Sequence, residues 1–566
     1  MAKICNLKIS HYRGVVEFEH TFGESNLAVL IGRGDSGKST ILKAISLILS
    51  PSWNISITDM DFTNADTSQP IVIETTLRDI PEELLAENKF GLYVRLLKEG
   101  IITDNVLDDD AGELVLTIRM VIDDTLQPKW VVTNDRDGME DKEISNKDRA
   151  LFNMFMIADY ADNHFAYSRF SPLYALLKRN MQNSTAIDKV LLQVVREAYN
   201  TVAAGANFQN FEITTDSIKE HAKKLGLDVE ELRTILEYKE NAYTESNITL
   251  HDGNVPYSMH GKGSKRLLSI AIQMELATQG GIILIDELEQ GLEPDRIVNL
   301  MRILKNTDKG QIFVTTHSSY VLVEANYNQL LLTRKGAHSL YGFDESFQPI
   351  LRSQPEVFFS KKIICCEGKT EQAVLRSIDE RLRIKEGFAV KGISVANGRG
   401  GDVFYQQAIV LKKMQYDVCV FADNDVTSLV SIQENVRKVG ISVIVCDDGL
   451  CLEQQLYKDM PWDKVLEMLQ FAIESNPDKK IMDQLKISSL EQYRKISEVD
   501  QLSKRELLGK EAKKNGWYKD FSRGEYLGKM WADNVEKLSK ECTLYKNYNQ
   551  LIGWINGSAT EAKIPK

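Results

Sequence analysis

Two apolar runs in this chain end on acids. In KKIICCEGKTEQAV, residues 361–374, the run stops at Glu367 and breaks on Gly368. Further on, YDVCVFADNDV closes a second run on Asp423 and Asp425. If both runs are strands of one parallel sheet, their ends share an edge and the carboxylates converge. Asp423 and Asp425 also have the alternate spacing that puts two side chains on one side of a strand. Three carboxylates held together repel one another and are stable only around cations, and all-oxygen ligands suit Mg²⁺ or Mn²⁺. Glu371 follows Glu367 at a four-residue spacing that shares a helix face. Glu453 opens a helix after the strand ISVIVCDD. Each has an ordinary alternative, an exposed helix charge for Glu371 and a dipole-favoured N-terminal acid for Glu453. A pair of cations needs more than three acids, and these two supply them.

A second constellation lies near the start. GRGDSGKST, residues 32–40, fits G-x-x-x-x-G-K-[ST] and stands between the apolar run LAVLI and the helical run ILKAISLIL. That context makes it a phosphate-binding loop. Gly32, Gly34, Asp35, Ser36 and Gly37 wrap backbone N–H groups around phosphates, Lys38 neutralises them, and Ser39 and Thr40 follow, Ser39 reaching Mg²⁺. GGIILIDELEQGLEPD, residues 280–295, supplies Asp286 for the same Mg²⁺ and Glu287 to polarise water. QIFVTTHSSYVL, residues 311–322, ends a strand at His317, placed to touch a γ-phosphate. In that order these motifs resemble the ATPase heads of the ABC class. MHGKGSKRLLSIAI, residues 259–272, occupies the place of that class's signature motif and departs from L-S-G-G-Q, keeping small residues at Gly261, Gly263 and Ser264. Asp295 lies near the class's dimer-contact loop, in the divergent segment GLEPD.

The elements that must position these groups predict an α/β protein of several domains. Apolar residues make up 43% of 566 residues, enough for large cores. Residues 5–32, 71–77, 114–122 and 129–133 read as strands, and from Pro172 to Tyr238 the apolar spacing turns helical. Strands and short helices return over 281–341. FDESFQPILRSQPEVFFS, residues 343–360, reads as a joint, and strands alternating with helices beyond it predict a second, parallel sheet. The predicted domains are 1–170 and 246–350 for the two parts of the ATPase head, 171–245 for a helical insert and candidate dimerisation element, 351–475 for the carboxylate domain, and 476–566 for a helical region completing it. Seven cysteines without a C-x-x-C pair read as buried thiols of a cytoplasmic protein, not as a zinc site. No apolar run is long enough for a bilayer, and the first residues lack a signal peptide's apolar stretch. The net charge of −12 excludes long-range attraction to nucleic acid by the chain as a whole.

Glu367-Gly368 with Asp423-Asn424-Asp425 resembles a Toprim domain, the metal-binding module of topoisomerases, primases and some nucleases. An ABC-type head joined to a Toprim domain resembles the OLD (overcoming lysogenisation defect) nucleases, a family that includes the Gabija nuclease subunit and retron-associated effectors. The resemblance is carried by GRGDSGKST, IILIDE, VTTHSS, PEVFFSKKIICCEGKTE and FADND and is loose over 150–250. It implies an ATP-regulated, metal-dependent DNA endonuclease of anti-phage defence. The cofactors would be ATP and two Mg²⁺ or Mn²⁺ ions. The assembly would be a homodimer or tetramer, acting with a partner such as a helicase or a reverse transcriptase carrying retron DNA. The family also places a lysine near its metals late in the chain, and Lys529, in KEAKKNGWYKDFSRGEYLGKMWA, matches best. Two rival readings remain at this point: an ATP-switched DNA sensor or clamp without cleavage, and a topoisomerase- or primase-like enzyme.

Overall fold

The computed structural model describes the chain apart from residues 1, 54, 106–111, 158–161, 168–170, 181–208, 238–246, 278–279, 309, 399, 495 and 558–566. It divides into two compact units, Met1–Arg352 and Ser353–Lys566. The division falls inside the proline-bearing stretch that reads as a joint, at 352/353 where the sequence suggests 350/351.

The strands of the first unit are β1 (Lys3–Tyr12), β2 (Val15–Thr21), β3 (Leu27–Ile31), β4 (Ile71–Arg78), β5 (Arg95–Lys98), β6 (Ile101–Thr103), β7 (Glu113–Ile122), β8 (Pro128–Thr133), β9 (Lys142–Glu143), β10 (Met154–Ile157), β11 (Leu232–Glu237), β12 (Asn247–Asp252), β13 (Val255–Pro256), β14 (Ile282–Ile285), β15 (Gln311–Thr315), β16 (Leu330–Leu332) and β17 (Tyr341–Gly342). One sheet has the order β10-β14-β15-β3-β16-β17. It is parallel from β10 to β16, with β17 antiparallel at the edge. β3, β14 and β15 are buried along their whole length. Strands covered on both faces need near-continuous apolar sequence, which is why LAVLI and IILI show no alternation. Helix α1 (Lys38–Ile48) buries Ile41, Leu42, Ile45 and Ile48. The second sheet, of eight strands, has the order β2-β1-β4-β7-β5-β6 with β8 and β9 continuing from β7. Its Ile73, Ile118 and Met120 share one core with Ile41, Leu42 and Ile45 of α1. The helix carrying Lys38 and Ser39 is therefore clamped through its apolar stripe.

The helical reading of 172–238 needs correction. Helices α2 (Pro172–Asn180) and α3 (Gln209–Lys224) form, but Leu232–Glu237 is strand β11, paired antiparallel with β12. Leu232, Ile235 and Leu236 have three- and four-residue spacing, so periodicity reads them as helix. The hydrogen bonds of β12, across residues 238–246, decide otherwise. Both helices contact α4 (Lys262–Leu276), which carries the signature-position residues: Arg179 meets Glu275 at 2.5 Å, and His221 lies 3.2 Å from the same carboxylate. Much of the candidate dimerisation element, 181–208 and 238–245, lies outside the described residues.

The second unit holds β18 (Lys362–Cys366), β19 (Ile393–Asn397), β20 (Asp417–Ala422) and β21 (Ser442–Val445) in one parallel sheet ordered β19-β18-β20-β21. The chain runs from β18 outward to β19, then crosses back to β20. The strand order reverses between β18 and β20, and the carboxyl ends of those two strands flank the crevice such a switch creates. Around the sheet lie α5 (Lys369–Glu386), α6 (Val403–Lys413), α7 (Val430–Lys438), α8 (Leu452–Asp459), α9 (Glu498–Asn515), α10 (Phe521–Asn534) and α11 (Thr543–Asn556). Among the described residues no helix is long and apolar enough to cross a membrane.

Helix α10 lies against α5 through two glycines one turn apart. A Cβ on Gly524 would stand 2.8 Å from Ala373 Cβ, and one on Gly528 would stand 2.6 Å from the Val374 carbonyl oxygen. Backbone cannot yield as a flexible side chain can. Gly528→Ala is expected to lower stability by about 1–3 kcal/mol, read as an earlier denaturation midpoint. An unchanged midpoint would show that the two helices are not this close.

Candidate functional site

Each unit presents one cluster of reactive side chains. In the first, the chain leaves β3, turns through Gly32 at φ 146° and enters α1 through Gly37 at φ 97°. Gly32 has no room for a side chain, since a Cβ would come within 2.5 Å of the Thr333 carbonyl oxygen. Lys38 is buried, and its Nζ donates to the carbonyls of Gly32 at 2.9 Å and Arg33 at 2.8 Å. Burial pulls its ammonium down to about 8, against the opposing pull of Asp286, Glu289, Glu287 and Asp35. Asp286, just beyond β14, accepts from Ser39 Oγ at 2.9 Å and from Thr315 Oγ1 at 2.5 Å. The strand order makes this possible, because β15 lies between β14 and β3 and brings Thr315 to the same edge.

The remaining predicted nucleotide residues gather nearby. Asp35 takes a left-handed φ of 58° and Ser36 shares a 2.6 Å hydrogen bond with Thr333. Gly34 faces open space. Asp35, Ser36, Gly37 and Thr40 line a cavity of about 540 Å³ together with residues 14–18 and 333–340. Glu287 is exposed and held at φ 50°, its N–H donating to Thr315 Oγ1 at 2.8 Å. His317 is held below its ordinary pKa by burial and by Lys38. Sequence reasoning missed three groups here. Glu289 accepts from Thr316 Oγ1 at 2.7 Å and from the His317 N–H at 2.6 Å. Arg266, fully buried in α4, donates to the backbone carbonyls of Asp286 and Glu287. Thr315 completes the set; it stands two residues before the histidine already singled out.

In the second unit, Glu367 leaves β18 and Glu371 sits in the first turn of α5. Glu371 bends back so far that a Cβ on Gly368 would lie 3.1 Å from its Oε2. Asp423 and Asp425 follow β20, and Glu453 lies in the first turn of α8. Ligand atoms of Asp423, Glu453 and Cys451 lie within 4.8 Å of one another. Burial, then the charges of Glu371, Glu453 and Glu367, hold Asp423 well above the usual carboxylate range, although it accepts from the Leu452 N–H at 2.8 Å. Burial, with Glu453 and Glu367, pushes Glu371 up to about 7. Burial and Asp425 raise Glu367. Five acids thus converge at the switch point, and the ion pair described among them is Lys513 Nζ to Asp425 Oδ2 at 2.6 Å. Glu367, Glu371 and Asp423, whose ionisation burial and neighbouring charges oppose, are a set that a divalent cation stabilises.

Three further residues act on this cluster and were not foreseen. Asn424, between the two aspartates, is saturated: its side chain donates to the Cys446 carbonyl at 3.2 Å and to Asp448 at 2.9 Å, and accepts from Gln433 at 3.1 Å. Its N–H donates to the Leu450 carbonyl at 3.0 Å and its own carbonyl accepts from Gly449. The D-x-D turn is locked by its middle residue, which the motif leaves unspecified. Cys451 was read only as a buried thiol. It caps α8 and stands beside the acids, which with burial push its pKa up and keep it protonated. Lys513 lies within the basic stretch that sequence reasoning flagged, sixteen positions before Lys529. Lys529 itself is exposed on α10.

Residues 148–324 match the family model described as "AAA domain, putative AbiEii toxin, Type IV TA system". Residues 358–425 match that of the overcoming lysogenization defect protein-like TOPRIM domain. The first match includes Asp286 and His317 but not the loop at 32–40; the second includes Glu367, Glu371, Asp423 and Asp425. None of the curated proteins matches the chain. Among solved structures, the Smc head bound to the C-winged helix domain of ScpA is 14% identical, with a TM-score of 0.39 over 60% of this chain and 98% of that one. A Pyrococcus furiosus Smc head with an extended coiled coil is 14% identical, with a TM-score of 0.38 over 62% and 99%. RecF with ATP is 12% identical, with a TM-score of 0.39 over 61% and 98%.

Proposed function

The chain carries an AAA-type ATPase domain followed by an OLD-like Toprim domain, matching an OLD-family ATPase–Toprim protein, and from that premise we propose a metal-dependent DNA endonuclease controlled by ATP. The observation that carries the reading is the convergence of Glu367, Glu371, Asp423, Asp425 and Glu453 at the switch point of a parallel sheet. These five would hold two divalent cations, Mg²⁺ or Mn²⁺, which all-oxygen ligands suit. Such cations, when bound, activate a water and stabilise the leaving oxygen of a phosphodiester. The chain's own part is to orient and to balance charge. Asn424 fixes the two aspartates, Lys513 offsets one carboxylate, and Lys529, on a helix packed against α5, is the candidate to meet the scissile phosphate.

In the first unit, Lys38 and the loop 32–40 would bind the ATP phosphates, with the base and ribose in the adjoining cavity. Ser39 and Asp286, already hydrogen-bonded to each other, would share the nucleotide's Mg²⁺. Glu287 would polarise the attacking water and His317 would report on the γ-phosphate. We assign the protein to anti-phage defence as a cytoplasmic homodimer or tetramer. A helicase, or a reverse transcriptase with retron DNA, would supply recognition, in keeping with the net charge of −12. The domain assignment proposed is the one the sequence suggests: an ATPase head over 1–170 and 246–350, the insert 171–245, and a nuclease part over 351–566.

The test is incubation of the purified protein with plasmid and linear DNA, with Mg²⁺ or Mn²⁺, and with and without ATP. Cleavage that EDTA abolishes is expected. Nucleotide-dependent DNA binding without cleavage, also in the presence of neighbouring gene products, would favour a sensor; a covalent protein–DNA adduct would favour a topoisomerase.

The proton on Glu371 gives a second measurable consequence. Its folded pKa of about 7 lies above the ordinary carboxylate value, so between those two values the metal-free folded state holds a proton that the unfolded chain has lost. Metal-free stability therefore falls as pH rises through this window. A cation must displace the same proton, so Mg²⁺ affinity is expected to rise by at least about tenfold per pH unit below 7. Calorimetric titration of Mg²⁺ at several pH values, in buffers of different ionisation enthalpy, reads both the affinity and the proton released. An affinity flat between pH 5.5 and 7, to take rough bounds, would separate Glu371 from the metals.

A further inference from the structure

Beside β21, the edge strand of the Toprim sheet, lies a groove of about 780 Å³ lined by Arg437, Ser442, Lys540, Tyr545, Lys546 and Asn549, among others. One wall is the end of α7, which carries Arg437; the other is α11 with the segment that leads into it, which carries the two lysines. α11 is held along the strand by Asn547, whose side-chain amide donates to the Val445 carbonyl at 2.8 Å, and by Gln550, 3.4 Å from Ser442 Oγ. Arg437, Lys540 and Lys546 are all exposed, and among the described residues only Lys546 forms an ion pair, a 3.4 Å contact with the exposed Glu541. Arg437 is a cation at a helix C-terminus, which the helix dipole alone would explain. Lys540 and Lys546 flank the start of α11, where the helix dipole does not favour cations.

The start of α11, between the two lysines, lies at the carboxyl edge of the sheet, where Thr543 Oγ1 donates to Asp447 just beyond β21, and the carboxylates stand at the carboxyl ends of β18 and β20 on that edge. Gln433, one turn before Arg437 on α7, donates its side-chain amide at 3.1 Å to Oδ1 of Asn424, the residue between the two aspartates. In a chain of net charge −12, three exposed cations rim this groove, whose lining includes one aromatic ring, and form a local site for a polyanion.

We propose that this groove binds the sugar–phosphate backbone of the DNA strand as it runs to or from the carboxylate cluster, with Arg437, Lys540 and Lys546 neutralising successive phosphates. The proposal rests on the nuclease reading and deepens it. Each cation that meets a phosphate releases counterions, so each adds to the salt dependence of binding.

The experiment measures binding of a fluorescein-labelled DNA oligonucleotide to the full chain by anisotropy, in EDTA, across a salt titration. Arg437→Ala, Lys540→Ala and Lys546→Ala are compared with wild type. Arg494→Gln, which removes an equal charge from an exposed helix elsewhere in the unit, serves as control. Each groove variant is expected to bind roughly three- to tenfold more weakly and to lower the slope of log affinity against log salt by about 0.7–0.9. Arg437→Lys should keep the slope, which excludes misfolding as the cause. Wild-type slopes in all three groove variants, or an equal loss in Arg494→Gln, would overturn the groove. If wild type still cuts DNA in that case, the nuclease reading stands without it. If wild type neither binds nor cuts, both fall.

Discussion

Asp423→Asn is expected to abolish metal-dependent DNA cleavage while raising the thermal stability of the metal-free protein. The two effects have one cause. Asp423 is half-buried beside Glu453 and Cys451, and its ionisation is opposed by burial first and by the charges of Glu371, Glu453 and Glu367 next. Asparagine keeps the Oδ1 that accepts from the Leu452 N–H, so the turn survives. It removes one charge that the metal-free fold must hold unfavourably, and with it a ligand that a cation needs. Cleavage should fall at least a hundredfold, about 3 kcal/mol of transition-state stabilisation. The melting temperature in EDTA should rise, and the further rise that Mg²⁺ produces in wild type should disappear. A structural role for Asp423 predicts the reverse: a lower melting temperature and an intact response to Mg²⁺. Persistent cleavage together with lower stability would sink the metal-site reading.

Lys38→Ala is expected to remove ATP binding, with affinity falling at least a hundredfold, about 3 kcal/mol. Lys38 is the buried cation of the loop and is satisfied there by two backbone carbonyls. Burial opposes its charge, and triphosphate oxygens would restore it, so binding should take up a proton above about pH 8. Asp286→Asn separates binding from turnover. It weakens the shared Mg²⁺ position beside Ser39 and should leave nucleotide bound but slowly hydrolysed. Run in the plasmid assay, the two variants report the sign of control: loss of cutting in Lys38→Ala means ATP activates, and gain means it restrains. Equal nucleotide affinity in wild type and Lys38→Ala would remove the first unit from the mechanism.

The legible part of this protein was whatever lies close along the chain. The loop 32–40 declares itself because all the groups of its motif are contiguous and flanked by the strand and helix they require. IICCE and VFADND declare themselves because a doubly covered parallel strand must be apolar throughout, so an acid at its end stands out. The sequence suggested that these acids meet, and the switch between β18 and β20 is the reason they do. Leu232–Glu237 was misread because a short apolar segment carries no period of its own strong enough to choose between helix and strand; β12 made that choice.

Through-space partners were not legible. Which hydroxyl meets Asp286 depends on β15 lying between β14 and β3, and strand order is not written in spacing. Which lysine meets Asp425 depends on the helical phase and docking of α9 and α10, and two lysines sixteen positions apart on different helices look alike in sequence. The position between the two aspartates carries no obligation in the motif, yet five hydrogen bonds from Asn424 hold the turn. By itself, then, the sequence determined which chemistries are present and on which elements, because those follow from local backbone and burial demands. The tertiary structure alone decided which charges face each other, because energies between groups far apart in the chain depend on distance and desolvation that only packing sets.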